Sequence, residues 1–233
     1  IGVSNDIIAT LERKGAPKHK LVYLPCMFDL QRFEYADHSK NQFRFLAVGR
    51  FSETKSPHLT LLAFNEVLKV IPNAQLIFIG KDGGGELFES CIILAKALKI
   101  DHKIEFKGIC TPEEVQNEMK KARVFVQHSL TTPLNGDKEG TPVAIMEAMA
   151  SGLPVVSTKH AGILDLIESG TTGFLVDEYD YMNMAKKMIE LIQSDELVAS
   201  IGLNASESIR SNSLLFQNKA YFLEQVNNCM LKK

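Results

Sequence analysis

The sequence predicts a doubly wound α/β domain built on a parallel sheet, and two observations carry that prediction. Across residues 43–158, short β-rich runs alternate with segments of helical period. The runs are apolar at almost every position rather than at every second one, which is what strands covered on both faces require.

Residues 1–40, with the run LVYLP near Leu21 and a polar stretch over 31–42, read as a lead-in or interdomain segment, and 41–233 as the main domain. The first strand is FRFLAV (43–48), followed by a helix over 57–70. QLIFIG (75–80) with a helix over 87–98, and KIEFKG (103–108) with a helix over 112–120, repeat the unit. RVFVQH (123–128) leads to a helix opening at Pro142, and LPVVST (153–158) closes the alternation. Downstream, amphipathic helices are predicted over 181–193, 195–209 and 214–229, with the pattern of packing elements. There is no internal repeat and no low-complexity tract.

Composition narrows the class of function. The 233 residues are 45% apolar and 23% charged with a formal net charge of -2, which argues against a general nucleic-acid binder. No apolar run approaches the length of a membrane span. Cys26, Cys91, Cys110 and Cys229 are too far apart for a metal knuckle and read as reduced thiols of a cytosolic chain. Opening at Ile1 without a signal-peptide pattern, the chain reads as a fragment of a longer protein.

In sheets of this kind ligands bind at the carboxyl ends of the strands, so the loops over 49–57, 80–86, 108–111 and 128–141 are the candidates. The stretch EGTPVAIMEAMASGLPVVST (139–158) sets one carboxylate before a helix and another inside it. Thr141 is an N-cap residue type and Pro142 suits the first helical position. Glu147 is the one charge in an otherwise apolar helix. Adjacent ligand hydroxyls would satisfy it, as would a buried Arg or backbone donors. Glu139 sits beside Gly140, where a ligand can approach the backbone, or else is a solvated loop residue. The free N–H groups of the first helical turn point the same way.

The loop Gly49-Arg50-Phe51-Ser52-Glu53-Thr54-Lys55 places a guanidinium and an ammonium beside a helix start, a pairing suited to a diphosphate and also common on plain surfaces. Lys81-Asp82-Gly83-Gly84-Gly85 reads as a flexible loop near a ligand rather than a phosphate cradle, since it fits neither a Walker loop nor Gly-x-Gly-x-x-Gly. His128 reads first as a structural residue, with a role as base left open. Met146 and Met149 read as core filling. Asp137 with His128 is too sparse for a metal site.

Gly-Arg, then Lys, then Glu followed after seven residues by a second Glu resembles glycosyltransferase family 4, the retaining transferases of GT-B fold. LPCMFDLQRF near the start and GTTGFLV from Gly170 extend the resemblance to nearly all of the chain. It implies the Rossmann-like, donor-binding C-terminal half of a retaining glycosyltransferase, with the N-terminal acceptor domain absent. By that resemblance Gly49, Arg50 and Lys55 hold the donor diphosphate and Glu147 the ribose hydroxyls. Glu139, with the backbone of Gly140, Thr141, Pro142 and Val143, holds the donor sugar, and Gly108 and Ile109 meet the base.

The resemblance further implies a UDP-sugar or GDP-sugar donor and a glycan or lipid-linked acceptor. No metal and no cofactor are expected, because Arg50 and Lys55 can neutralise the leaving diphosphate. The fragment alone is expected to bind nucleotide weakly and transfer little sugar. The expected location is the cytoplasm, with room for peripheral membrane association of the full-length protein. A non-catalytic scaffolding domain and a sugar-nucleotide epimerase are the alternatives. Two departures stand out: Ser56-Pro57 follows Lys55 where the family has Gly, and Cys26-Met27 stands where Asn-Gly is usual.

Overall fold

The computed structural model describes residues 1–82, 85–212 and 219–231. Six strands form one all-parallel sheet: β1 (Arg44–Val48), β2 (Gln75–Ile79), β3 (Ile104–Phe106), β4 (Val124–Val126), β5 (Val155–Thr158) and β6 (Phe174–Val176). Their spatial order is β3-β2-β1-β4-β5-β6, the doubly wound order, in which the chain reverses its direction of travel between β1 and β4. The loops after those two strands therefore flank the crevice of the sheet.

The apolar runs split by parity, as a two-sided sheet demands. Phe45, Leu76, Phe78, Val124, Val126 and Val156 enter one buried cluster, while Leu46, Ile77, Ile79, Phe125 and Val155 enter the other. Helices α2 (Pro57–Val70), α3 (Leu87–Ala97) and α6 (Tyr181–Gln193) cover the first face. The second is covered by α4 (Pro112–Lys121) and α5 (Val143–Ala150). The long α7 (Asp195–Ser211) serves both, with Val198 and Ile201 in one cluster and Ala205 and Ile209 in the other. A last helix, α8, spans Lys219–Leu231. The predicted helix over 214–229 falls partly on 213–218, and the loop glycines Gly83 and Gly84 likewise lie outside the described residues.

Two elements go beyond the sequence prediction. β6 is three residues long and lies within the GTTGFLV motif, and helix α1 (Asn5–Arg13) opens the chain behind the N-cap Ser4. The segment 1–40 lies against the sheet domain. Asn5 donates to Asp165 from both its backbone N–H (2.8 Å) and its side-chain amide (2.9 Å). The ring nitrogens of buried His38 lie 3.0 Å from the carbonyls of Ala122 and Ser151, at the far ends of α4 and α5.

Candidate active site

The loop leaving β1 is fixed so that its cations face the crevice. Gly49 N–H donates to Ile79 O at 2.8 Å, and Phe51 N–H to Lys81 O at 3.0 Å. The Phe51 ring is buried against Phe78, Phe88 and Phe106, with centroids 4.8 to 6.0 Å apart. With its neighbour pinned, Arg50 stays exposed, and it has no hydrogen bond or ion pair among the described residues. A short 3-10 turn (Glu53–Lys55) then brings Lys55 back across the loop. A Cβ on Gly49 would fall 2.7 Å from Lys55 Cδ, so only glycine leaves the lysine this path.

Ser56 accounts for the first departure from the family pattern. Its φ is 37° with ψ 54°, the left-handed conformation that glycine adopts most easily. The serine occupies it with its hydroxyl donating to Glu53 O at 2.6 Å. The turn is thus kept without the glycine, and Pro57 opens α2 as predicted.

Lys55 Nζ lies 2.6 Å from Glu139 Oε2 and 3.3 Å from Gln127 Oε1, joining residues 84 positions apart. Both members of the ion pair are 18% exposed. A further backbone bond, Leu130 N–H to Thr54 O at 3.0 Å, ties the loop after β4 to the loop after β1. Gly49, Arg50, Lys55 and Gln127 line a single cavity that continues down to Val126.

Glu139 is held at its backbone as well. Its N–H donates to His160 Nε2 at 2.9 Å, and His160 Nδ1 lies 2.6 Å from Glu178 Oε1. Glu178 Oε2 also accepts from Thr131 N–H at 3.0 Å. Burial pushes the Glu178 carboxyl up, but these donors outweigh it and hold the group below the usual carboxylate range.

Helix α5 begins one residue later than predicted. Pro142 is the N-cap, its carbonyl accepting from Ile145 N–H at 3.1 Å, and Val143 is the first helical residue. Thr141 is no cap: its hydroxyl donates to Val3 O in the opening segment. The N–H groups of Val143 and Ala144, in the first turn, have no intrahelical acceptor.

Glu147 lies one helical turn further on, half-buried. Its carboxylate makes no hydrogen bond or ion pair among the described residues, so neither a buried Arg nor backbone donors hold it. Burial raises its pKa to about 7, with the Arg32 charge pulling the other way.

Gly108 and exposed Ile109 stand further along the same rim, at the end of β3, where Gly80 N–H donates to Gly108 O at 2.8 Å. His128 is not in the crevice. It is fully buried, accepts from Tyr179 N–H at 3.0 Å and faces Met184, and burial drops its pKa to about 4. Among the described residues no three His, Cys, Asp or Glu side chains gather as a metal site would need, and no helix is long and apolar enough to cross a membrane.

Gln127, Thr131, His160 and Glu178 join the site without any motif that singles them out in the sequence. A signal exists for Gln127, which directly follows β4, and for His160, two residues past β5, since both strands are legible in the sequence.

The architecture is that of a GT-B glycosyltransferase domain. HepE from Anabaena, solved with UDP-glucose, superposes with a TM-score of 0.83 at 21% identity, over 98% of this chain and 62% of that one. Residues 31–208 match the glycosyl transferases group 1, and the chain belongs to that family. The putative colanic acid biosynthesis glycosyltransferase WcaL of Salmonella typhimurium is 30% identical over 202 residues, 85% of this chain and 49% of WcaL. The amylovoran biosynthesis glycosyltransferase AmsK of Erwinia amylovora is 29% identical over 228 residues, 91% of this chain and 52% of AmsK. The chain spans about half the length of these curated relatives.

Proposed function

We propose that this chain is the donor-binding half of a retaining glycosyltransferase that moves a sugar from a UDP-sugar or GDP-sugar to a glycan or lipid-linked acceptor. The observation that carries the reading is the crevice between β1 and β4, where Arg50, without a partner among the described residues, stands beside the Lys55–Glu139 ion pair.

In this reading the diphosphate enters between Arg50 and Lys55, along Gly49 and the first-turn N–H groups of Val143 and Ala144, which have no intrahelical acceptor. The phosphates draw Lys55 from Glu139, whose carboxylate then turns to the donor sugar beside Gly140, Thr141 and Pro142. Glu147 accepts hydrogen bonds from the ribose hydroxyls, and Gly108 and Ile109 meet the base. As the sugar–phosphate bond breaks, Arg50 and Lys55 stabilise the charge gathering on the diphosphate, in place of a metal. Glu139 favours the positive charge growing at the anomeric carbon. No cofactor takes part.

Domain organisation follows from the same reading. Residues 1–40 are the interdomain segment, 41–233 the donor domain, and the acceptor is held by an N-terminal domain outside this chain. The full-length protein works in the cytoplasm, peripherally at a membrane surface where its acceptor is lipid-linked.

Calorimetric titration tests the assignment. Glu147→Ala should weaken free UDP or GDP by about five- to tenfold, the worth of one or two hydrogen bonds. Glu139→Ala should not weaken the free nucleotide, since it frees Lys55 for the diphosphate, and should remove the affinity added by its sugar, and EDTA should change neither. Equal losses for nucleotide and nucleotide sugar in both variants refute the roles. Absence of binding at millimolar ligand favours a scaffolding domain instead.

A further inference from the structure

The backbone of Glu139 is held by a three-member relay that nothing in the donor reading uses. Glu139 N–H donates to His160 Nε2 at 2.9 Å. Nε2 is therefore the unprotonated nitrogen, and Nδ1–H is left to donate to Glu178 Oε1 at 2.6 Å. Glu178 receives Thr131 N–H on its other oxygen at 3.0 Å. Three strand-end loops, after β4, β5 and β6, thus converge on one peptide N–H.

The next peptide is braced by the same β5 loop. A Cβ on Gly162 would lie 1.8 Å from Gly140 O, so the 160–162 turn presses directly on the Gly140 carbonyl. His160 is 1% exposed and Glu178 26%, so the imidazole is enclosed while its carboxylate partner reaches the surface. A carboxylate behind an imidazole strengthens the far nitrogen as an acceptor and fixes its tautomer.

We propose that His160, oriented by Glu178, is a positioning residue that holds the Glu139 backbone so that its carboxylate meets the donor sugar. This inference rests on the donor reading. Lys55 also holds Glu139 at 2.6 Å, but at the carboxylate, and that contact competes with the incoming diphosphate. The hold through His160 is at the backbone, out of the diphosphate's reach, and persists while the sugar is bound. Without it the 139–140 hinge gains freedom, and the carboxylate must be ordered again for each donor. The cost falls on recognition of the sugar, not of the nucleotide.

The test is calorimetry on this chain with UDP and GDP against UDP-glucose, UDP-N-acetylglucosamine and GDP-mannose, reading the affinity that each sugar adds to its nucleotide. His160→Ala should reduce that gain by about three- to tenfold, the worth of one neutral hydrogen bond, and leave the nucleotide's own Kd within about twofold. His160→Gln, whose amide oxygen can reach the Nε2 position, should keep most of the gain. Glu178→Ala should lower the gain by releasing the Nε2–H tautomer, which would set a donor against the Glu139 N–H. Because Glu178 is partly exposed, this second variant decides the matter if His160→Ala does not fold.

Glu139→Ala separates the two levels of inference. If it removes the sugar gain while His160→Ala and Glu178→Ala keep it, the positioning role is wrong and the donor reading stands. If Glu139→Ala leaves the gain intact, or no nucleotide sugar outbinds its nucleotide, the donor reading fails and this inference with it. Equal weakening of nucleotide and nucleotide sugar by His160→Ala would mark the histidine as structural only and overturn the proposal.

Discussion

Glu147 shows how much a single side chain can report. It is an ionisable group without a partner among the described residues, and burial has moved its pKa from 4.5 to about 7. The proton it retains in the folded state contributes stability that is complete below pH 4.5 and is lost as pH rises through about 7. Ribose hydroxyls donate to the ionised form, so donor affinity should rise with pH up to the folded-state value of about 7. Measured with UDP-glucose, whose diphosphate diester does not titrate there, Kd should fall as pH approaches about 7 and then level off. Glu147→Gln should flatten both profiles, and a wild-type Kd independent of pH would count against a ribose contact. His128 works with the opposite sign: its lowered pKa costs stability as pH drops from 6.5 towards 4, so the comparison must be made between variant and wild type.

At the scale of elements, α4 is joined to the sheet by a charge rather than by apolar contacts alone. Glu118, 4% exposed, pairs with Arg44 of β1, with Lys107 at 2.9 Å just past β3, and with Lys121 at 3.2 Å. Burial opposes its ionisation, but these cations together hold its pKa below the usual range. Glu118→Ala leaves half-buried Arg44 with only the more exposed Glu105, 3.8 Å away, and should cost about 2 kcal/mol in a denaturant titration. A loss under about 1 kcal/mol would show that the cluster is solvated and contributes little. Helix α5 makes a related point. Thr141 is of capping type and marks the helix start in the sequence, yet its hydroxyl goes to Val3 O, some 138 positions away. Capping preference is a local energy of about 1 kcal/mol, and one tertiary hydrogen bond of similar worth overrides it.

For the molecule as a whole, the spatial order of the strands turns separate loops into a cleft with one open side. The proposed donor contacts line that cleft, and the chain spans about half the length of its curated relatives. The 233 residues alone should bind a nucleotide sugar weakly and release sugar to added acceptors only at a trace rate. Robust turnover by this chain without further protein would overturn the division into donor and acceptor halves.

Five of the six strands and the helices between them are legible because strands buried on both faces must be apolar throughout, whatever they pack against. β6 escapes because three residues, Phe174–Val176, are too few to show a period, and their strand character comes from pairing with Val156–Thr158. Without that strand, Glu178 at its end is hidden too. Arg50, Lys55, Glu139 and Glu147 can be picked out from residue type and spacing.

The sequence by itself determined the fold class and the alternation of five strands with the helices between them, since these follow from local pattern. Family resemblance added the expectation that Arg50, Lys55, Glu139 and Glu147 meet a sugar nucleotide. Only the tertiary structure decided that Lys55 meets Glu139, that His160 and Glu178 stand behind it, and that Glu147 is left without a partner among the described residues. Those are relations between residues up to 84 positions apart, fixed by the crossing between β1 and β4. Contacts between loops depend on how the sheet is ordered in space, and no local periodicity encodes that order.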